Sequence, residues 1–178
     1  KRLIVKFEFE DTEVVGDWGK LQQILNNILS NAFKFTGRDG VIELDVGEIR
    51  DTNSQFRKYC FRIRDNGAGM SREFLDKLFV PFEREVQFGA AKVAGTGLGM
   101  PIVRELVQKM DGTIAVESAL GEGSLFEITI PFRVSGGKTG GSSEIHEERG
   151  PAGESGEGET QILAGKRILV AEDNTINM

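Results

Sequence analysis

Residues 22–36 read QQILNNILSNAFKFT, and this stretch decides the fold because it predicts a helix with two distinct stripes. The apolar stripe, which we expect to face the core, consists of Leu21, Leu25, Ile28, Ala32 and Phe35. The polar stripe, about a third of a turn away, consists of Gln23, Asn27, Asn31 and Lys34. Asp17 offers an N-cap for this helix, which is expected to run to about Phe35.

The polar side of this helix is rich in asparagine, a poor helix former that costs roughly 0.6 kcal/mol against alanine. Three asparagines lie within six residues, at positions 26, 27 and 31. A plain solvated face is the common use of such a stripe, but the density of amides favours a ligand. Amide oxygens suit Mg²⁺, which keeps several waters and shares phosphate oxygens. Lys34 could then reach a phosphate.

Outside this helix, the chain up to residue 134 alternates strand and helix patterns. Strands are expected over 3–9, 41–49, 56–64, 113–118 and 124–132, and further helices over 71–79 and 98–110. This order favours an α+β fold. The predicted architecture is a two-layer sandwich, with a mixed, mostly antiparallel sheet that carries its helices on one face.

Composition limits the classes of function. The net charge of −6 argues against nucleic acid and against a general anionic-membrane patch as partners. The single cysteine excludes an internal disulfide, and no run approaches the ~20 apolar residues that span a bilayer. We therefore expect a cytoplasmic chain that makes no membrane contact itself. A membrane anchor elsewhere in a longer parent protein stays open.

A change of composition near residue 134 predicts three segments. Residues 1–134 are the folded domain. Residues 135–165 are rich in Gly, Glu and Ser, which predicts a flexible linker. Residues 166–178 contain a short apolar run followed by Glu172 and Asp173, which is typical of the first strand of a further, truncated domain.

Three glycine-rich segments follow the first helix. Residues 65–70 read DNGAGM: they form either an ordinary turn or a site where the Asp65 carboxylate reads an adenine amino group beside glycines that allow close approach. Residues 95–101 read GTGLGMP and lead into a helix whose N-terminus could bind phosphate, although the signal alone is weak. Residues 121–126 read GEGSLF and alone predict only a hairpin. Residues 81–94 are typical of a mobile lid.

In this order, the four segments resemble the N, G1, G2 and G3 boxes of the GHKL ATPase superfamily. Residues 78–82, LFVPF, resemble the F box found in sensor histidine kinases. The resemblance covers about Leu3 to Phe132 and depends on five motifs in the correct order, since each is unspecific by itself. It implies a domain that binds ATP and Mg²⁺ and transfers the γ-phosphate to a histidine.

The resemblance also implies roles for individual positions. Asn27 matches the asparagine that binds Mg²⁺, and Asn31 is a second polar contact. Lys34 and Arg84 match the catalytic residues: Lys34 meets the phosphates, and Arg84 resembles the lid arginine that reaches the γ-phosphate. Asp65 matches the adenine-reading aspartate. The remaining ATP-binding positions that the resemblance implies are Phe35, Gly67, Gly69, Met70, Phe82, Gly95, Thr96, Gly97, Leu98, Gly99 and Ser124.

Gln23 separates the subfamilies. Hydrolytic members carry a glutamate general base at this position, one helical turn before the metal asparagine, and glutamine cannot take a proton at neutral pH. This favours phosphoryl transfer, which needs positioning and charge neutralisation.

Residues 166–174 resemble the start of a response-regulator receiver, with Glu172 and Asp173 as its Mg²⁺-binding acids. Together the resemblances imply a hybrid histidine kinase in a two-component phosphorelay. Its expected partners are a receiver domain and a histidine-bearing dimerisation domain of the same parent protein, placed before Lys1. The only histidine, His146, lies in the predicted linker and is interpreted as incidental. We therefore expect this chain to bind Mg·ATP without phosphorylating itself.

Two other functions stay open. The same fold could serve as a docking module without catalysis. A serine kinase of the anti-sigma type shares the boxes, although the receiver-like segment argues against it.

Overall fold

A computed structural model of the chain describes residues 1–9, 13–49, 55–84 and 96–135. Several predicted features lie outside these residues: Gly95, the larger part of the predicted lid, nearly all of the predicted linker with His146, and the receiver-like segment.

The described residues form six strands and three helices. In chain order they are β1 (Arg2–Glu8), β2 (Val14–Val15), α1 (Trp18–Phe35), β3 (Val41–Ile49), β4 (Phe56–Asp65), α2 (Arg72–Leu75), α3 (Gly99–Lys109), β5 (Thr113–Ala119) and β6 (Gly123–Val134). The predicted order is confirmed, with β2 as an addition. The prediction of α2 over 71–79 was too long, because after Leu75 the backbone continues in tighter turns such as the Leu78 N–H to Leu75 carbonyl bond (3.3 Å).

The six strands form one mixed sheet in the order β1-β3-β4-β6-β2, and β5 also pairs with β6. Only β1 and β3 are parallel among the described strands; every other pair is antiparallel. The long strand β6 is the organising element because it pairs with β4 along one side and with β5 and β2 along the other. The predicted mixed, mostly antiparallel sheet is confirmed.

The core lies between one face of this sheet and helices α1 and α3. Side chains that are completely buried come from both layers: Ile24, Ile28, Ile42, Ile63, Val103, Val107, Ile128 and Ile130. The opposite face is charged, and ion pairs link neighbouring strands there, such as Arg62 Nε with Glu127 Oε2 at 2.8 Å. This division gives the predicted two-layer sandwich, with its helices on one face.

Helix α1 begins as predicted, because the Asp17 carboxylate accepts a hydrogen bond from the Lys20 N–H (2.9 Å). Its predicted core stripe was wrong at two positions. Ile24 is fully buried although the prediction left it out, and Phe35 is 44% exposed. The buried stripe is therefore centred between Ile24 and Ile28, and the last turn of the helix leaves the core.

Within the parts of the chain that the structure describes, no helix combines the length and the apolar content that crossing a bilayer requires.

Which side of α1 packs against the sheet can be tested by comparing Ile24→Ala with Leu25→Ala. Ile24 is fully buried, so its truncation should lower the free energy of unfolding by about 2–4 kcal/mol through lost burial and a residual cavity. Leu25 is only partly buried, so its truncation should lower the free energy of unfolding by clearly less. Urea denaturation of both variants measures the difference, and equal losses would contradict the facing described above.

Candidate functional site

The end of α1 is joined to the loop that follows β4. The Ala68 N–H donates to the carbonyl of Phe35, the last residue of the helix, at 3.1 Å. Gly67 lies in this contact, and a Cβ built on it would be 2.7 Å both from the Phe35 carbonyl oxygen and from Asp65 Oδ1. A side chain at position 67 would therefore push the loop away from the helix.

Asp65, the last residue of β4, is one of two buried polar side chains among the described residues, with 7% of its surface exposed. Its Oδ1 accepts the Gly67 N–H at 2.8 Å, and the backbone N–H of Ser124 also donates to the carboxylate. Burial raises the pKa of Asp65 because the charged form loses water, and these two hydrogen bonds partly oppose the rise. The carboxylate keeps further acceptor positions for a ligand.

The β5–β6 hairpin holds this loop from the other side. The Gly121 N–H donates to the Ala68 carbonyl (2.8 Å), and Gly69, at φ +65°, passes so close to Ala119 that an added Cβ would lie 1.8 Å from its carbonyl oxygen. Gly123 has φ +90°, and a Cβ there would lie 2.0 Å from the Asp65 carbonyl oxygen. Two glycine-rich segments that are far apart in sequence thus pack backbone against backbone.

Ser118 connects the two segments through its side chain. Its hydroxyl accepts the Met70 N–H (2.9 Å), donates to the Gly123 carbonyl (2.8 Å) and lies 3.1 Å from the Ser124 hydroxyl. Sequence reasoning missed Ser118, because a serine near the end of a strand pattern has no local signal of a functional role. Only its partners, up to 48 residues away, reveal its role.

Asn27 lies at the other end of the candidate site, where α1 passes α3. Its side-chain NH₂ donates to the Gln23 carbonyl at 2.8 Å. A Cβ built on Gly99 would be 3.0 Å from Asn27 Oδ1, so the amide oxygen lies directly against the first residue of α3. The glycine allows this approach, and the metal-ligating atom predicted for Asn27 faces the predicted phosphate loop.

The N-terminus of α3 suits an anion. Its N-cap residue, Leu98, has no side-chain acceptor, and no acidic residue occupies the first turn. The Thr96 hydroxyl accepts the Leu98 N–H at a long 3.4 Å. The first-turn N–H groups and the helix dipole are then directed at whatever binds here.

Phe82 and Gly97 bring the two flanks of the predicted lid together. The Phe82 N–H donates to the Gly97 carbonyl at 3.0 Å. Both residues have a left-handed backbone, with φ +67° at Phe82 and φ +72° at Gly97. A Cβ on Gly97 would lie 2.8 Å from the Phe82 backbone, so this pairing requires glycine. The Phe82 ring is 71% exposed.

The remaining predicted residues lie along or beside α1. The Lys34 ammonium is 5.0 Å from the centre of the Phe35 ring. Asn31 is partly buried one turn after Asn27, and Arg84 is exposed. A shallow groove of about 430 Å³ follows the exposed side of α1 past Gln23 and Asn27 but does not reach Asp65.

The predicted residues thus form two groups along α1, one at its C-terminal end and one near its middle. Phe35, Asp65, Gly67, Gly69, Met70 and Ser124 meet at the C-terminal end, and Asn27, Thr96, Leu98 and Gly99 meet near the middle. Asn27 and Phe35 are eight residues apart, which is about 12 Å along a helix. No group of three or more metal-ligating side chains occurs in the described parts of the chain.

The amino-acid sequence is similar to those of known ATPases and histidine kinases. Residues 16–134 match the family model of the histidine kinase-, DNA gyrase B- and HSP90-like ATPases. The chain is 37% identical over 124 residues to hybrid signal transduction histidine kinase A of Dictyostelium discoideum, an alignment that covers 67% of this chain and 6% of that protein. It is 31% identical over 168 residues to the autoinducer 2 sensor kinase/phosphatase LuxQ of Vibrio vulnificus, covering 94% of this chain and 18% of that protein.

The fold is similar to that of a histidine kinase domain whose structure has been solved. The catalytic domain of the histidine kinase ThkA matches with a TM-score of 0.58 at 25% identity, covering 73% of this chain and 78% of that one. The chain spans less than a fifth of the length of each of the two relatives named above.

The buried carboxylate should show itself in the pH dependence of stability. The pKa of Asp65 is higher in the folded than in the unfolded chain, so the folded state holds the proton more tightly. The contribution of this group to the free energy of unfolding is therefore fully present below the ordinary pKa of 3.8 and is lost as the pH rises through the folded-state pKa. Asp65→Asn has no such loss, and its amide oxygen can still accept the two backbone N–H groups. The variant should therefore be the more stable protein at pH 7, and the difference should shrink on acidification. Urea unfolding from pH 3 to pH 7 measures this, and a less stable variant at pH 7 would disprove it.

Proposed function

The chain belongs to the histidine kinase-, DNA gyrase B- and HSP90-like ATPase family, and from that premise we propose that residues 1–134 bind Mg·ATP and donate its γ-phosphate to a histidine on a separate domain of the parent protein. One observation carries the proposal. The buried Asp65 carboxylate lies beside the C-terminal end of α1 and the Asn27 amide lies near the middle of the same helix, each next to a glycine that allows close packing.

We assign adenine recognition to the Asp65 end. The carboxylate has acceptor positions left after its bonds to Gly67 and Ser124, and an exocyclic amino group is a donor that fits them. Met70 and Phe35 supply apolar surface beside it, since Met70 is partly buried against the core and the Phe35 ring is 44% exposed. Gly67 and Gly69 keep the loop free of side chains that would obstruct a purine.

We assign the phosphates to the α3 end. The first-turn N–H groups of α3 are oriented for an anion, and Thr96, Gly97, Leu98 and Gly99 form the approach to them. Asn27 would hold Mg²⁺ through its amide oxygen, and phosphate oxygens and water would complete the coordination. When bound, the ion would neutralise charge on the phosphates.

The basic residues complete the proposed site. Lys34 lies two helical turns after Asn27 on the same face of α1, and its long side chain can turn from the Phe35 ring towards the phosphates. We assign Arg84 to the γ-phosphate as the second catalytic residue. Phe82 and Asn31 are assigned supporting contacts to ATP, and so is Gly95, which lies outside the described residues. Gln23 cannot act as a general base for water, so we infer phosphoryl transfer rather than hydrolysis.

We further propose a hybrid two-component kinase as the parent protein. In this proposal, residues 135–165 link the catalytic domain to a receiver that begins near residue 166, and a dimerisation domain carries the acceptor histidine. The 168-residue alignment with LuxQ supports it because that alignment is longer than the 134-residue domain. The fragment would act in the cytoplasm, whether or not the parent protein has a membrane anchor elsewhere.

A docking module without catalysis is the second candidate, and nucleotide binding separates the two. Titration with a non-hydrolysable ATP analogue and Mg²⁺ should give affinity for the wild-type chain and at least tenfold weaker binding for Asp65→Asn, because the amide can present an N–H donor to the amino group. Asp45→Asn is the matched control, since it removes the same charge on the far face of the sheet. Calorimetry measures both, and unchanged affinity in Asp65→Asn would refute the assignment of adenine to this carboxylate.

Phosphoryl transfer is tested with radiolabelled ATP. The chain alone should stay unlabelled, and adding the histidine-bearing domain of the parent protein should place label on that domain. Asn27→Ala should reduce this labelling by about two orders of magnitude, as loss of a positioned metal would, whereas the exposed neighbour variant Asn26→Ala should retain it.

Two outcomes of this experiment would count against the proposal. Label on His146 of the chain alone would show that the fragment phosphorylates itself. Label on a serine of a separate protein would favour the anti-sigma type of kinase.

A further inference from the structure

Strand β1 is a free edge of the sheet. It pairs with β3 on one side, and within the described residues no strand lies on its other side. Leu3 and Phe7 are each 41% exposed there. Exposed edges of this kind tend to pair with another chain.

The direction of the backbone groups on β1 follows from one hydrogen bond. The Arg2 N–H donates to the Gly40 carbonyl at 3.0 Å, so Arg2 directs its backbone groups at β3. Because the N–H and C=O of successive residues point to opposite sides of a strand, positions 4, 6 and 8 also face β3. Leu3, Val5 and Phe7 therefore direct their N–H and C=O groups outward.

The same three residues carry apolar side chains on one face of the strand, whereas Ile4 lies on the other face. Val5 is partly buried against the core, and Leu3 and Phe7 share its face of the sheet because they are two residues away in either direction. The one lysine of the strand interior is drawn inward, since Lys6 Nζ lies 4.0 Å from Glu43 and 3.9 Å from Asp45 on β3. The edge thus presents free backbone groups and apolar surface together.

We propose that β1 is an interface between two copies of this chain, paired antiparallel about a two-fold axis at Val5. In this register, Val5 opposes Val5 of the partner, and Leu3 opposes Phe7 of the partner. All three residues with outward backbone groups then form hydrogen-bonded pairs, which gives about six interchain N–H···O=C bonds. On the core-side face, the exposed parts of Leu3 and Phe7 cover each other.

The charged residues of β1 select this register. On the other face it places Arg2 opposite Glu8 of the partner, twice by symmetry, and Ile4 opposite Lys6 of the partner. A shift of two residues in one direction places Lys6 opposite Lys6 of the partner. A shift in the other direction places Arg2 opposite Lys6 of the partner. Like charges directly opposite each other are destabilising, so only the register centred on Val5 has complementary charges. A shift of one residue would place residues with outward-facing backbone groups opposite residues of the partner whose backbone groups face β3, so the interchain hydrogen bonds could not form.

An interface of one strand pair is small, and the net charge of −6 on each chain opposes association. We therefore expect a weak dimer. Sedimentation velocity of the 178-residue chain from about 20 µM to about 1 mM should show the sedimentation coefficient rising with concentration.

Amide hydrogen exchange gives a residue-level signature. At high concentration the N–H groups of Leu3, Val5 and Phe7 should gain protection, whereas those of Ile4, Lys6 and Glu8 are already bonded to β3 and should not change.

Charge reversal tests the register. Arg2→Glu and Glu8→Arg should each weaken the dimer roughly tenfold, because each places like charges opposite one another at two symmetry-related positions. The double variant restores opposite charges and should regain the wild-type dissociation constant. Val5→Pro removes an outward N–H without affecting the bonds to β3 and should abolish the dimer.

A chain that stays monomeric at the highest concentration would overturn the proposal. So would self-association that is indifferent to Val5→Pro, or a double charge reversal that fails to restore the association lost in the single variants.

Discussion

One backbone contact holds the candidate site together: the hydrogen bond from the Ala68 N–H to the Phe35 carbonyl at the end of α1 (3.1 Å). It joins the end of a helix to the loop that carries the buried carboxylate. The carbonyls of a last helical turn have no partner within the helix, so the contact satisfies a group that would otherwise need water. It forms only because position 67 is glycine, since the Cβ of any other residue would lie 2.7 Å from the same carbonyl oxygen.

Because α1 is rigid and capped at its start by Asp17, this contact also determines where Asn27 lies. The helix places the Asn27 amide next to the N-terminus of α3, where the absence of a side chain at Gly99 allows the close contact. The proposed adenine end and the proposed phosphate end of the site are thereby placed about 12 Å apart along one helix. A binding site on a helix scaffold keeps its two ends in a constant relation, which loops alone could not do.

The site is built at a cost to stability. Burial of Asp65 raises its pKa and removes water from a charge, and two backbone N–H groups only partly compensate. Phe82 is held at φ +67°, an uncommon conformation for a residue with a side chain. Such departures persist where the surrounding structure enforces them. Asp65 and Phe82 belong to the candidate site, whereas Asp111, the other described residue with a side chain at positive φ (+53°), follows the end of α3. The core itself is a layer of mainly aliphatic and aromatic side chains between the sheet and two helices.

Features that depend on neighbours a few residues apart could be predicted from the amino-acid sequence alone. The Asp17 cap, the span of α1 and the order of the long strands along the chain all follow from local periodicity and local capping. Tertiary structure decided the rest: the burial of Ile24 instead of Phe35, the two-residue strand β2, the role of Ser118 and the Phe82–Gly97 pairing. The partners in these contacts are far apart in the chain, so their positions depend on how whole elements pack.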